Sequence, residues 1–201
     1  MDHRVSWGAV WLALLCGSSW GDGSSCVTVD GSHPITVCDR SVADSKFHEY
    51  SASGTLCAAI PEVVALLTNV NTIPDWFPDV LEARTLSDDT QTLIIYLKNR
   101  APWPLRPRDM VYRFSVVSHE PDGSVSVGIL GVPDFIPPVP KVVRMEGAQG
   151  GWSLDSENLH TDVTFTMHLE LGDVPAFIAN RRVQETVSGA VRNLQDRFAC
   201  S

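Results

Sequence analysis

The groups able to do chemistry in this 201-residue chain are five cysteines, six histidines and scattered carboxylates. Cys16 falls inside an apolar N-terminal stretch, which leaves Cys26, Cys38, Cys57 and Cys200 for the body of the chain. Cys26 and Cys38 flank Asp30-Gly31-Ser32, a hairpin-type turn, so the expected disulfide joins Cys26 to Cys38. Cys57 and Cys200 would then tie a strand end to the C-terminus. Other pairings and four reduced thiols stay open, with export favouring disulfides. No C-x-x-C and no Cys/His spacing suggests a metal site. His33, His48, His119, His160 and His168 are possible bases, but they are dispersed along the chain. There is no G-x-S-x-G elbow, no H-E-x-x-H pair and no phosphate-cradling glycine loop. These residues point away from catalysis and towards binding.

Hydrophobic residues make up 44% of the chain and charged residues 19%, enough apolar surface for one core and too little charge for a disordered tail. The net charge of -9, with no basic patch, excludes nucleic acid as a partner. Residues 5–16 (VSWGAVWLALLC) follow a single Arg and precede a small, polar stretch with Ser19, Trp20 and Gly21. This pattern predicts a secretory signal peptide over residues 1–21, cleaved near Gly21, and one domain over 22–201. A membrane-spanning helix needs about 20 apolar residues, and this run is shorter and broken by Ser6 and Gly8. Lipidation at Cys16 is disfavoured by the bulky Leu15 before it.

The elements that position these residues are mostly strands. Lys46–Cys57 alternates in period two, and Pro61 opens a short helix in which Val63, Val64, Leu66 and Leu67 cover one face. Strands are expected over Val80–Leu86, Thr92–Lys98, Met110–Val117 and Ser124–Val132, separated by turn signals such as Pro121-Asp122-Gly123. Val142–Met145 and Gly151–Leu154 are expected to be joined by a turn at residues 146–150. In Thr161–Leu171, Val163, Phe165, Met167, Leu169 and Leu171 share one face, while Thr164, Thr166, His168 and Glu170 share the other. On that polar face a solvated His168 is the ordinary reading. From Pro175 to about Ala199 a long helix carries Val183, Val187, Ala190, Val191, Leu194 and Phe198 on one stripe. That stripe must bury against the sheet, giving an α+β fold with a curved antiparallel sheet around a C-terminal helix.

Four segments then resemble the START (StAR-related lipid-transfer) family of the helix-grip superfamily. They are IPDWFPDV at 73–80; APWPL at 101–105 followed by Pro107-Arg108-Asp109; Val143-Arg144-Met145 followed by Gly150-Gly151-Trp152; and Val174-Pro175 with Asn180-Arg181. The resemblance covers about Ile35 to Phe198 and suggests a bacterial-type, secreted member. It implies a tunnel under the long helix that holds one sterol, phospholipid or other lipid and carries or presents it between membranes. It implies no cofactor.

Within that tunnel the resemblance makes Glu82 and Arg108 a candidate internal ion pair, with Trp103, Phe114, Phe165, Met167, Phe177 and Val187 as further ligand-binding candidates. The alternative is that Arg108 and Asp109 tie a loop to the sheet. Residues 132–140 (VPDFIPPVP) cannot join a ladder and are expected to form a stiff loop, either packed on the core or acting as a gate over the tunnel with the helix start at Pro175. The chain is expected to be a monomer that touches membranes transiently in the periplasm or outside the cell. The competing class is a polyketide cyclase-like enzyme using the same cavity.

Overall fold

A computed structural model of the protein describes residues 24–89, 92–101, 103–119, 122–157 and 160–200. The expected leader, residues 1–21, lies outside the described residues. Ten strands form one sheet: β1 (Ser24–Val29), β2 (Ile35–Ser41), β3 (His48–Leu56), β4 (Val80–Asp88), β5 (Leu93–Asn99), β6 (Arg108–Ser118), β7 (Val125–Gly131), β8 (Val143–Arg144), β9 (Gly147–Glu157) and β10 (His160–Glu170). Their spatial order is β1-β2-β3-β10-β9-β7-β6-β5-β4, antiparallel throughout, and the two-residue β8 adds parallel to β6. The last strand therefore joins the N-terminal strands β1-β2-β3 to the strands β9-β7-β6-β5-β4.

Among the described residues the α-helices are α1 (Ile60–Thr68) and α2 (Ile73–Trp76), between β3 and β4, and α3 (Ala176–Arg197), after β10. At the start of α1, Pro61 supplies a fixed φ in the first turn and the Glu62 carboxylate accepts the Ala59 N–H at 3.0 Å. Val63, Leu66 and Leu67 are buried as the spacing predicts. In α3 the stripe Val183, Val187, Ala190, Val191 and Leu194 is fully buried against β2, β3 and β10. Each of these valines and the leucine contributes roughly 1.5–3 kcal/mol on leaving water. Polar tethers then fix the rotation of the helix about its axis. Asn180 Oδ1 accepts the His48 N–H at 3.0 Å, Asn193 Nδ2 donates to the Trp76 carbonyl at 2.6 Å, and Gln195 Nε2 reaches the Pro34 carbonyl at 3.4 Å. The result is the α+β helix-grip arrangement.

The expected turn at residues 146–150 is not a turn. Strand β9 begins at Gly147 and runs on through Trp152, paired with β10 on one side and β7 on the other. A Cβ on Gly151 would lie 2.7 Å from the Val127 carbonyl oxygen, and one on Gly150 would collide with that of Thr166. The glycines are there because neighbouring backbones approach too closely for a side chain.

Both cysteine pairs are disulfides. Cys26 and Cys38 sit directly opposite one another in the β1–β2 hairpin. Cys57, just past β3, is joined to Cys200, and its N–H also donates to the Phe198 carbonyl at 3.0 Å. Two bonds of this kind suggest an oxidising compartment. Among the described residues no helix is long and apolar enough to cross a membrane.

The proline-rich segment is placed differently from the gate reading. Val132, Ile136 and Val139 pack on Ile94, Tyr96 and Val111, the apolar cluster on the sheet face opposite α3. The Arg144 guanidinium donates to the carbonyls of Pro133, Ile136 (3.0 Å) and Pro137 (3.4 Å). Carbonyls that prolines leave without ladder partners are thereby satisfied, and residues 132–140 form a pinned outer layer that lines no part of the cavity.

Candidate functional site: a cavity between the long helix and the sheet

Alternation along β5 and β6 sets the cavity wall. In the β5–β6 register Leu97 faces Met110 and Asn99 faces Arg108, so Leu97, Asn99, Arg108, Met110 and Tyr112 point to the inner side. Asp109 and Val111, between them, point outward. Strand β10 adds Phe165 and Met167, and α3 adds Val183, Thr186 and Val187. With the other lining residues they border a mostly apolar void of about 860 Å³, counting the open solvent at its mouth. A smaller chamber of about 330 Å³ shares Phe77, Tyr112, Phe165 and Met167 with it and continues inward to Phe114, Trp76 and Trp152.

The inner end is closed by stacked rings. Trp152 and Phe165 are nearly parallel at 4.0 Å between centroids, and Phe77 meets Phe165 edge-on at 5.8 Å. Trp76 packs on Phe77 and Trp152 at 5.5 and 6.1 Å, leaving its buried indole N–H without a partner among the described residues. Burial raises the Tyr112 phenol well above its ordinary pKa, and its hydroxyl donates to the Met110 sulfur. The phenol is therefore neutral and part of the apolar wall.

Charge is confined to the mouth, where Arg100, Arg108 and Arg182 stand against one carboxylate, Asp79. Arg182 is engaged by Asp79 at 3.1 Å, a contact that also ties α3 to the corner before β4. Arg108 has no carboxylate partner among the described residues; its Nη1 donates only to the Arg106 carbonyl at 3.2 Å. Burial first, and the Arg106 charge second, hold its pKa below the ordinary guanidinium value. The Asn99 side-chain oxygen beside it is buried and has no partner among the described residues.

The residues expected to bind ligand fall into three groups. Arg108, Phe165, Met167 and Val187 line the main cavity, and Phe114 lines the inner chamber. Trp103 and Phe177 are 93% and 77% exposed and line neither. They flank the mouth, Trp103 between the wall residues Ala101 and Leu105 and Phe177 next to Ile178. Glu82 does not meet Arg108. Its side chain is half exposed on the outer face and pairs with Arg84 at 3.7 Å, so the expected internal ion pair is not formed. The cause is a β-bulge: Val80 pairs with Asn99 but Glu82 pairs with the next residue, Lys98. One extra residue in β4 reverses the alternation and turns Glu82 outward. Asn99, Met110 and Thr186 were not foreseen; for Asn99 and Met110 the signal was available, since both share Arg108's inner face once β5 and β6 are paired.

No family model matches the sequence. An uncharacterized protein of Pseudomonas aeruginosa is 26% identical over 163 residues, 80% of this chain and 80% of that protein. The crystal structure of a fragment of a STAR-related lipid transfer protein from Xanthomonas axonopodis is 34% identical, with a TM-score of 0.81 over 89% of this chain and 100% of that one. Human StAR-related lipid transfer protein 5 has a TM-score of 0.72 at 19% identity, covering 88% of this chain and 86% of that chain, and shares the fold.

Proposed function

The chain belongs to the START (STAR-related lipid transfer) family, and from that premise we propose that it binds one hydrophobic molecule under α3 and carries or presents it between membranes. The observation that carries this reading is the cavity under α3, open at one mouth, mostly apolar in its lining and charged at that mouth. Such a wall takes up an apolar body and leaves a polar end near water. A carrier is favoured over a cyclase-like enzyme by the lining itself. Among the described residues it holds no histidine, and its one carboxylate, Asp79, is engaged by Arg182.

The exposed rings at the mouth support a transient membrane contact. Trp103 and Phe177 stand beside the opening on separate segments, and an aromatic ring at a membrane interface keeps its apolar body out of water. The segments flanking the mouth, residues 100–108 and the first turn of α3, are then the parts that must yield for ligand exchange, in place of residues 132–140. The proposed setting is the periplasm or the extracellular space, after removal of residues 1–21, as a monomer without nucleic acid or cofactor. The two disulfides and the charge of -9 accord with that setting.

Solvent extraction of the purified native protein followed by mass spectrometry should yield one lipid per chain. Delipidated protein should then bind an apolar dye such as N-phenyl-naphthylamine with one-to-one stoichiometry and move labelled lipid from donor to acceptor vesicles. Failure to bind the dye or any lipid would overturn the carrier reading; turnover of a supplied polyketide would replace it.

A further inference from the structure

We propose that the cavity selects an anionic amphiphile, whose acid group is held by Arg108 at the mouth and whose adjacent hydroxyl or amide N–H is received by the Asn99 side-chain oxygen. The proposal rests on the carrier reading and narrows its ligand class.

Three observations carry it. First, Arg108 is a partly buried cation on the cavity wall that touches one backbone carbonyl and no carboxylate among the described residues. A guanidinium only partly withdrawn from water still gains from a counter-charge, and a carboxylate or phosphate satisfies its planar fork with two parallel hydrogen bonds. The carboxylate expected to neutralise it, Glu82, is turned to the outer face. Second, the other charged groups of the mouth do not substitute for that carboxylate. Asp79 is committed to Arg182, whose Nη1 also meets Glu185 at 3.1 Å, and Arg100 adds a further positive charge, so the lining, with three arginines and one carboxylate among the described residues, has a surplus of cations in a protein that is acidic as a whole. Third, Asn99 is the direct cross-strand partner of Arg108, and its side-chain oxygen is buried with no donor among the described residues. Opposed residues on one face of an antiparallel pair place their Cβ atoms roughly 4.5–5.5 Å apart. A head group resting on Arg108 therefore reaches Asn99 with an atom one or two bonds from its acid carbon or phosphorus. An unmet buried acceptor asks for a donor. A plain sterol hydroxyl answers Asn99 but leaves Arg108 without a counter-charge; a plain fatty acid does the reverse.

Displacement of N-phenyl-naphthylamine from the delipidated wild-type protein by ligands of one chain length tests this. Sodium myristate should compete at a concentration about tenfold or more below tetradecanol, the effect of one charge-assisted hydrogen bond. A further gain of about threefold or more is expected for β-hydroxymyristate over myristate, from the added donor. Myristoyl lysophosphatidate, which carries a glycerol hydroxyl, distinguishes the sources of the anion: its stronger competition assigns a phosphate, stronger competition by β-hydroxymyristate a carboxylate, and each supports the anion site. In Arg108→Gln, myristate and tetradecanol should become equal, with Arg108→Lys retaining part of the preference; in Asn99→Ala, the advantage of the hydroxyl should vanish. Tetradecanol competing as well as myristate in the wild type would overturn the anion site while dye binding still upholds the carrier. Equal competition by myristate and β-hydroxymyristate would overturn the role of Asn99. If neither the dye nor any of the four ligands binds, the carrier reading falls, and this proposal with it.

Discussion

Arg108 and Asp109 are neighbours in the chain and opposites in the structure. They open strand β6 together, and the pleat sends one to each side of the sheet. On the outer side Asp109 is completely buried, and its two carboxylate oxygens receive Nε and Nη2 of Arg144, each at 3.0 Å. The same guanidinium holds three carbonyls of the proline-rich segment, so a single fork closes that whole layer. On the inner side Arg108 has no such closure and looks into an open void. A buried charge with every partner supplied by the chain serves the fold, while a partly buried charge with its partner missing is available to a ligand. The difference lies in what the surrounding protein has left for a visitor to complete.

The largest expected effect comes from breaking the closed side. Asp109→Leu or Arg144→Leu leaves the remaining charge buried without its counter-ion, which costs about 3–5 kcal/mol, and Arg144→Leu also strips three carbonyls of their donor. Urea denaturation of each single variant should show a loss of that size. The double variant Asp109→Leu with Arg144→Leu should recover part of the loss, because no lone charge remains. Single variants as stable as the wild type would mean that the pair contributes nothing to the fold and that the contrast with Arg108 is empty.

A smaller effect on stability, with a large one on binding, is expected from filling the open side. Val187 is fully buried at the helix face of the void. Val187→Phe projects a ring into space that the chain itself does not occupy, so its cost should stay near or below the ~1 kcal/mol end of overpacking. One-to-one dye binding should be lost in this variant while the melting temperature changes little. Unaltered dye binding would place the ligand elsewhere.

How far the sequence alone reaches can be judged on the same two faces. Period-two alternation places Val163, Phe165 and Met167 on the inner side of β10, and helical spacing buries Val183, Val187 and Leu194, because those patterns follow from geometry inside one element. The Cys26–Cys38 disulfide was legible from the turn between the two residues, whereas the even cysteine count left the Cys57–Cys200 pairing open. Glu82 was placed inside by the family resemblance alone, and the bulge after Val80, which turns it outward, leaves no local mark in residue type. Segment 132–140 was correctly excluded from the ladder, but its side of the sheet is decided by Arg144, at a distance no local pattern reports. Trp103 and Phe177 look like core residues by type, and only tertiary placement shows them exposed at the mouth.

Next in size is the effect of Arg108 on stability, which separates the two charged neighbours most directly. Arg108→Gln removes a guanidinium that no carboxylate stabilises and that burial already penalises. The expected change in unfolding free energy is within about 0.5 kcal/mol of zero, the range of substitutions that break no native pair. Asp109→Asn, as conservative a change one residue later, should cost several times more, since it weakens the bidentate contact to Arg144. Equal losses in the two variants would show that Arg108 also has a structural partner.

The smallest effect concerns Glu82, and it is the sharpest check on the faces themselves. Glu82 meets Arg84 at 3.7 Å with both side chains about half exposed, and such surface pairs contribute about 0–1 kcal/mol. Glu82→Gln should therefore change stability by less than about 0.5 kcal/mol, and added salt should erase what remains. If Glu82 and Arg108 lie on opposite sides of the sheet, the variant carrying both Glu82→Gln and Arg108→Gln should show the sum of the single effects, within about 0.3–0.5 kcal/mol for residues without shared partners. Coupling well beyond that limit would return Glu82 to the cavity and give Arg108 the counter-ion it lacks. The anion site would then be filled by the protein itself, and the ligand would need only a hydroxyl.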